Sequence, residues 1–161
     1  MNLLRNFSTN SQKTNVGVID VSKLKNNEFE KEVNLSEYIL DNIILFCADV
    51  LEDQYISHET EVQSEKQTYF QPRQPRIDIR IRCKNKTYLV ELKNPKNTSE
   101  NRHALGQILA YSVLLDEIGS CDLVIVTTKY DILTAKAIKK FNLPVRYVYF
   151  EKGKIMEYLY G

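Results

Sequence analysis

Residues 76–83 read RIDIRIRC, residues 84–86 read KNK, and residues 87–93 read TYLVELK. In the first stretch apolar and charged residues alternate strictly, with an isoleucine or cysteine at every odd position and a charged residue at every even one. Such alternation is typical of a β-strand with one buried face. The polar stretch has the length of a hairpin connection, so the third stretch is predicted to return beside the first as an antiparallel strand.

The chain around this hairpin alternates between helical and strand patterns. Apolar residues at helical spacing predict a helix over 35–50, and two prolines within 71–75 interrupt any regular element before the hairpin. Further strands are predicted at 16–21, 55–65, 123–127, 145–150 and 155–160, and further helices at 104–118 and 131–141. The prediction is therefore an α/β fold with a central mixed β-sheet flanked by helices, in the order helix, three strands, helix, strand, helix, strand.

Length and composition indicate one globular domain. The chain has 161 residues, of which 43% are apolar and 27% charged, so we expect a single domain over 1–161 with a weakly patterned extension over 1–30. No apolar stretch approaches the roughly 18 residues that span a bilayer, and no secretory signal pattern precedes the first strand. Three widely separated cysteines fit neither a disulfide framework nor a zinc site, which predicts an intracellular, cytoplasmic protein.

The net charge of +1 conceals an uneven distribution. Residues 28–70 contain eleven acidic and two basic side chains, whereas residues 71–110 contain nine basic and three acidic ones. The basic block is typical of a surface that binds a polyanion, and equally of a solvated strand face.

Three polar residues of the hairpin are predicted to converge. Glu91 and Lys93 are two residues apart on one strand and therefore share a face, and the tight turn brings Asp78 close to them. Two adjacent carboxylates favour a hard divalent cation such as Mg²⁺ or Mn²⁺, and a lysine beside it can take a proton from an attacking water. The alternative is a Glu–Lys pair on an ordinary strand face, where Lys93 contributes little to stability.

The order of these residues resembles a known family. Asp78 is followed after twelve residues by Glu91-Leu92-Lys93, and then by Gln107 and Tyr111 one helical turn apart. This order is similar to the PD-(D/E)xK nuclease superfamily with its QxxxY motif, and most similar to RecB-type nucleases and the N-terminal nuclease domains of type I restriction motor subunits. The similarity covers roughly residues 35–130, and the sequence departs from the family in placing Arg-Ile between the proline and the aspartate.

The resemblance implies a restriction-endonuclease-like core and metal-dependent hydrolysis of a nucleic-acid phosphodiester. It implies that Asp78 and Glu91 bind the metal ion and that Lys93 is the catalytic lysine. It further implies that Gln107 and Tyr111 support the site and contact the substrate. Some relatives hold an iron–sulfur cluster on four cysteines, which three scattered cysteines do not predict.

Several further residues are candidates for the same site. Many members of the family carry a metal-binding glutamate on the first helix, for which Glu37 is the best match and Asp41 an alternative. His103 lies one turn before Gln107 and is a candidate for a phosphate contact. Candidate phosphate contacts that surround the site are Arg73, Arg76, Arg80 and Arg82, of which Arg80 or Arg82 can equally pair with the acidic first helix.

The predicted function is a Mg²⁺- or Mn²⁺-dependent nuclease, with DNA as the expected substrate and no membrane partner. The sequence does not distinguish DNA from RNA. An alternative with the same fold is a catalytically silent nucleic-acid-binding module, and a second is a structural α/β protein. A homodimer is compatible with the sequence. The patterns do not distinguish endonuclease from exonuclease action.

Overall fold

The computed structural model describes residues 16–20, 32–63, 76–115 and 120–151. The strands are β1 (Val16–Asp20), β2 (Tyr55–Gln63), β3 (Arg76–Cys83), β4 (Thr87–Lys93), β5 (Cys121–Thr127) and β6 (Val145–Glu151). The helices are α1 (Glu32–Asp41), α2 (Ile43–Phe46), α3 (Glu100–Leu114) and α4 (Ile132–Lys140), and a π-helical segment over Cys47–Leu51 follows α2. The strand predicted at 155–160 and the candidate Arg73 lie outside the described residues.

The strands form one six-stranded mixed sheet in the order β1-β6-β5-β4-β3-β2. Neighbours from β1 to β4 are parallel, whereas β3 is antiparallel to both β4 and β2. The predicted hairpin is therefore confirmed, and so is the α/β fold with a central mixed sheet flanked by helices. This architecture is consistent with a restriction-endonuclease-like core.

A hydrophobic core lies on each face of the sheet. The first core packs α1, α2 and the π-helical segment against side chains of β4 that include Val90 and Leu92. The second core packs α3 and α4 against the other face, where Leu89 contributes. Because successive residues of a strand point to opposite faces, Glu91 and Lys93 lie on the face of the second core. That face is the one that α3 covers.

The first helical region differs from the single helix predicted over 35–50. It divides at Asn42, whose side-chain Nδ2 donates a hydrogen bond to the Tyr38 carbonyl at 2.9 Å. Asparagine side chains compete in this way with helical backbone hydrogen bonds. The region ends at Glu52, which has a left-handed backbone with φ of 56°. Its buried apolar residues nonetheless keep the helical spacing, so the pattern alone does not reveal the break.

A buried carboxylate fixes the turn between β3 and β4. Asp53 is 6% exposed, and its oxygens accept hydrogen bonds from the backbone N–H groups of Gln54, Asn85 and Lys86 and from the hydroxyl of Tyr88. Burial acts to raise the pKa of the Asp53 carboxyl, but these hydrogen bonds outweigh burial and hold the pKa below its usual value. The hairpin turn is thereby anchored to the loop that follows the π-helical segment.

In the part of the chain that the structure describes, no helix has the length and apolar character needed to cross a membrane.

Candidate active site

The candidate site lies where the pairing of β3 with β4 ends. The last paired residues are Ile79 and Val90, and one residue further on the carboxylate of Asp78 accepts a hydrogen bond from the Leu92 N–H at 2.7 Å. The Asp78 side chain thus accepts a hydrogen bond from the Leu92 amide, which lies beyond the last residue of β4 that pairs with the backbone of β3. This contact holds Asp78 beside the segment that carries Glu91 and Lys93.

The neighbouring strand β2 is also irregular at this level. Thr60 pairs with Ile79 and Val62 pairs with Ile77, and between them Glu61 has a left-handed backbone with φ of 52°. Left-handed backbone is uncommon in a residue other than glycine and often accompanies functional sites. The region around Asp78 is therefore irregular on both sides of β3.

Glu91 and Lys93 form a largely buried ion pair. Lys93 Nζ lies 2.8 Å from Glu91 Oε1, and the two side chains are 18% and 4% exposed, respectively. A carboxylate so deeply buried requires a compensating positive charge, which the ammonium supplies. The three residues of the predicted catalytic motif are thus brought together at the carboxyl end of β4.

Helix α3 covers the face that carries this ion pair. Ala104, Leu105 and Ile108 pack into the second core, while the partly buried Gln107 donates a hydrogen bond from Nε2 to the Tyr111 hydroxyl at 3.4 Å. The two residues of the predicted QxxxY motif therefore contact each other on the helix next to the ion pair. His103 lies one turn earlier and is exposed, and α3 begins at Glu100 rather than at the predicted residue 104.

The structure does not bring Glu37 to the other two carboxylates. Its helix, α1, packs into the first core on the opposite face of the sheet, and the side chains of Glu37 and Asp41 are exposed. Among the described residues, no group of three or more His, Cys, Asp and Glu side chains is arranged to hold a metal ion.

Asp78 and Glu91 remain as a two-carboxylate set of oxygen donors. Mg²⁺ commonly uses only one or two protein carboxylates and completes its coordination with water and substrate phosphate oxygens. The two residues therefore offer the kind of oxygen ligand that such an ion takes, and the Lys93 ammonium lies against the Glu91 carboxylate.

The arginines of β3 form ion pairs with glutamates of the neighbouring strand β2. Arg80 and Arg82 lie 3.4 and 2.9 Å from the carboxylate of Glu59, and Arg76 lies 3.3 Å from that of Glu61. The positive charge predicted for this strand is thus partly compensated by β2. A phosphate that binds these arginines has to displace the two glutamates or share the arginines with them.

Two contacts beyond the predicted residues fix the end of β4. The Thr128 N–H donates to the Lys93 carbonyl at 3.1 Å, and the Thr128 hydroxyl donates to Asn94 Oδ1 at 2.5 Å. Asn94-Pro95 marks the end of the strand in the sequence, but no pattern indicates that a residue more than thirty positions away lies against it.

Comparisons with known proteins give one similar structure. No known protein-family profile matches the chain, and no curated protein matches it. Among solved structures, the chain is similar to the crystal structure of a repair endonuclease from Pyrococcus abyssi, with 20% sequence identity and a TM-score of 0.46. The similar region covers 80% of this chain and 49% of that one. The chain therefore spans about half the length of that endonuclease structure.

Proposed function

We propose that this chain is a metal-dependent nuclease that hydrolyses phosphodiester bonds of DNA. The observation that carries this proposal is the arrangement at the end of the β3–β4 hairpin. Asp78 bonds the Leu92 N–H at 2.7 Å, and the residues on either side of Leu92, Glu91 and Lys93, pair at 2.8 Å. These are also the residues that resemble the aspartate, glutamate and lysine of PD-(D/E)xK nucleases.

Asp78 and Glu91 would hold a divalent cation, Mg²⁺ or Mn²⁺, which when bound supplies polarisation of a phosphoryl oxygen and activation of water. Lys93 has a separate role that its own geometry supports. Its Nζ lies beside Glu91 and its side chain as a whole is 18% exposed, so the lysine can reach a substrate without leaving the site. There its ammonium would donate hydrogen bonds to the phosphoryl oxygens and neutralise the charge that develops on them, while the proton of the attacking water would pass to solvent.

Gln107 and Tyr111 would orient the substrate from α3. Their side chains are only partly buried, and the hydrogen bond between them limits the rotamers that each can adopt. An amide and a hydroxyl held on the helix that covers the ion pair can bind a phosphate oxygen or a sugar. This role requires no metal contact from either residue.

The experiment is a cleavage assay on labelled linear, single-stranded, flapped and branched DNA and on the RNA counterparts, each with EDTA, Mg²⁺ or Mn²⁺. We expect cleavage of DNA that requires the cation and is lost in Asp78→Asn. Asparagine keeps an acceptor for the Leu92 N–H and removes the charge, so this variant tests the metal role with the strand end preserved. Lys136→Ala, an exposed position on α4, is the control and should cleave like the wild type.

A melting measurement tests the metal site without reference to activity. A cation that binds only the folded state raises its stability by mass action, so Mg²⁺ should raise the melting temperature of the wild type and not of Asp78→Asn. Cleavage by Asp78→Asn at the wild-type rate would contradict the nuclease proposal. Binding of DNA without cleavage under any metal condition would favour the catalytically silent binding module.

A further inference from the structure

Two loops at the carboxyl ends of β4 and β5 are bonded to each other and to the candidate site. Lys129 Nζ donates to the Lys96 carbonyl at 2.7 Å, and Asn101 Nδ2 donates to the Lys129 carbonyl at 2.7 Å. The Thr128 N–H, one residue before Lys129, donates to the Lys93 carbonyl at 3.1 Å. Since β4 and β5 are parallel, both loops lie at one edge of the sheet, which is the edge that carries Lys93.

Neither of the two loop lysines forms a side-chain ion pair with an acid in the part of the chain that the structure describes. Lys96 and Lys129 are both exposed, and within residues 76–115 and 120–149 neither forms an ion pair. Two acids that are close to these lysines in the sequence have other partners. Glu100 accepts hydrogen bonds from the backbone N–H groups of Lys96 and Asn97, and the buried Asp131 caps α4 and lies 3.5 Å from Arg102.

The arginines of β3 differ in this respect. Arg76, Arg80 and Arg82 each contact a glutamate of β2, so a phosphate that binds them must compete with a carboxylate already in place. Lys96 and Lys129 present no such competitor, and Lys129 is already held by its contact with the Lys96 carbonyl. Binding there costs less side-chain ordering, and phosphate contacts are the part of a protein–nucleic acid interface that positions the backbone.

We propose that Lys96 and Lys129 form a phosphate-binding surface that holds the DNA backbone against the candidate active site. This loop-lysine surface rests on the proposed function and extends it, because it names where the substrate strand lies. The strand passes over the loops after β4 and β5 instead of following the paired arginines of β3.

The test is the salt dependence of DNA binding by the full chain, measured by fluorescence anisotropy with labelled duplex DNA in EDTA. Each phosphate contact contributes about −0.9 to the slope of log affinity against log salt concentration. The double variant Lys96→Gln/Lys129→Gln should therefore have a slope about two units shallower than the wild type. A matched control, Lys136→Gln/Lys140→Gln, removes the same charge from exposed positions of α4 and should leave the slope nearly unchanged.

The double variant Arg80→Gln/Arg82→Gln tests whether DNA contacts the arginines of β3 instead of the loop lysines. A wild-type slope in the loop-lysine variant together with a shallower slope in the arginine variant would overturn the loop-lysine surface and leave the nuclease proposal standing. Equal losses in the loop-lysine variant and the α4 control would also overturn it, because the effect would then follow net charge alone. A wild type that binds no DNA at any salt concentration would overturn both proposals.

Discussion

Glu91 and Lys93 are adjacent on one face of β4, and the charge of each side chain stabilises the charge of the other. The sequence suggests that Lys93 lies at the solvent end of a strand and matters little for stability. In the structure its side chain is 18% exposed and contacts a carboxylate side chain that is 4% exposed. Removal of the lysine would leave a buried charge without its partner, which is costly in a protein interior. If the chain has the proposed activity, the same residue therefore influences both the rate of cleavage and the stability of the fold.

We expect Lys93→Ala to reduce single-turnover cleavage by about 10²–10³-fold, because a positioned positive charge beside the phosphoryl oxygens is lost. It should also reduce the free energy of unfolding by about 1–3 kcal/mol, less than for a fully buried pair because Lys93 is partly exposed. Urea unfolding in EDTA measures the second effect. The double variant Glu91→Gln/Lys93→Met should recover much of the stability and none of the activity. Wild-type cleavage by Lys93→Ala would show that this lysine is not catalytic.

Ionisation of the Asp53 carboxyl makes the stability of the fold depend on pH. Because hydrogen bonds hold its pKa below the unfolded value of about 3.9, its contribution is complete above that pH and is lost as the pH falls through the lower, folded pKa. Asp53→Asn should therefore melt at a lower temperature than the wild type at neutral pH, and this difference should narrow below about pH 4. Melting curves across pH test this, with Asp41→Asn, an exposed carboxylate of α1, as the control. A difference that does not vary with pH would contradict the assignment.

Among the secondary-structure elements, the hairpin was predictable and the helix ends were not. Strict alternation over β3 and a short polar turn are sufficient to place Asp78 beside Glu91 and Lys93. The start of α3 is different, because Asn101 is a polar residue that is fully buried through its hydrogen bond to the Lys129 carbonyl. A pattern of apolar residues therefore places the beginning of this helix too late.

The π-helical segment ends in a strained residue. Glu52 has φ of 56°, a conformation that costs a residue with a Cβ atom about 1 kcal/mol and costs glycine little. We expect Glu52→Gly to raise the free energy of unfolding by about 0.5 kcal/mol, since the greater freedom of unfolded glycine offsets part of the relief. The matched control is Glu37→Gly, at an exposed position inside α1, which should lower it by about 1 kcal/mol. Chemical denaturation of both variants measures the two opposite changes in the free energy of unfolding. A loss of stability in Glu52→Gly would show that the backbone at Glu52 is not strained.

On the scale of the whole molecule, the two cores share the central strands. β4 and β5 contribute side chains to both faces of the sheet, so neither core can lose its packing without affecting the other. We expect the thiols of Cys47 and Cys83, which lie in the first core, to become accessible in the same urea transition that melts α3 and α4. Burial raises the pKa of both thiols, which makes them slow to react in the folded state.

The measurement compares thiol labelling with far-ultraviolet circular dichroism across the transition. Cys121, which is partly exposed, should react before unfolding and serves as the internal control. Two separate midpoints would mean that the cores unfold independently.

The candidate site was predictable only where it is local in the sequence. Register within the hairpin follows from residues close to one another, whereas the face on which α1 packs is set by the whole topology. That is why Glu37, at a suitable place in the sequence, lies across the sheet from Glu91. The partners of Arg80 and Arg82 were not predictable either, because the pairing of β2 with β3 places Glu59 opposite Arg80 and close to Arg82.

The hydrogen bond from the Leu92 amide to Asp78 has a consequence for magnetic resonance. An amide proton bonded to a carboxylate at 2.7 Å is expected to resonate at an unusual frequency, apart from those of its neighbours in the strand. Any cation, proton or substrate group that draws electron density from that carboxylate changes the frequency of this one signal. In a ¹⁵N-labelled sample, the Leu92 amide signal would therefore report occupancy of the site during a titration. The measurement would need no dye, labelled substrate or catalysis.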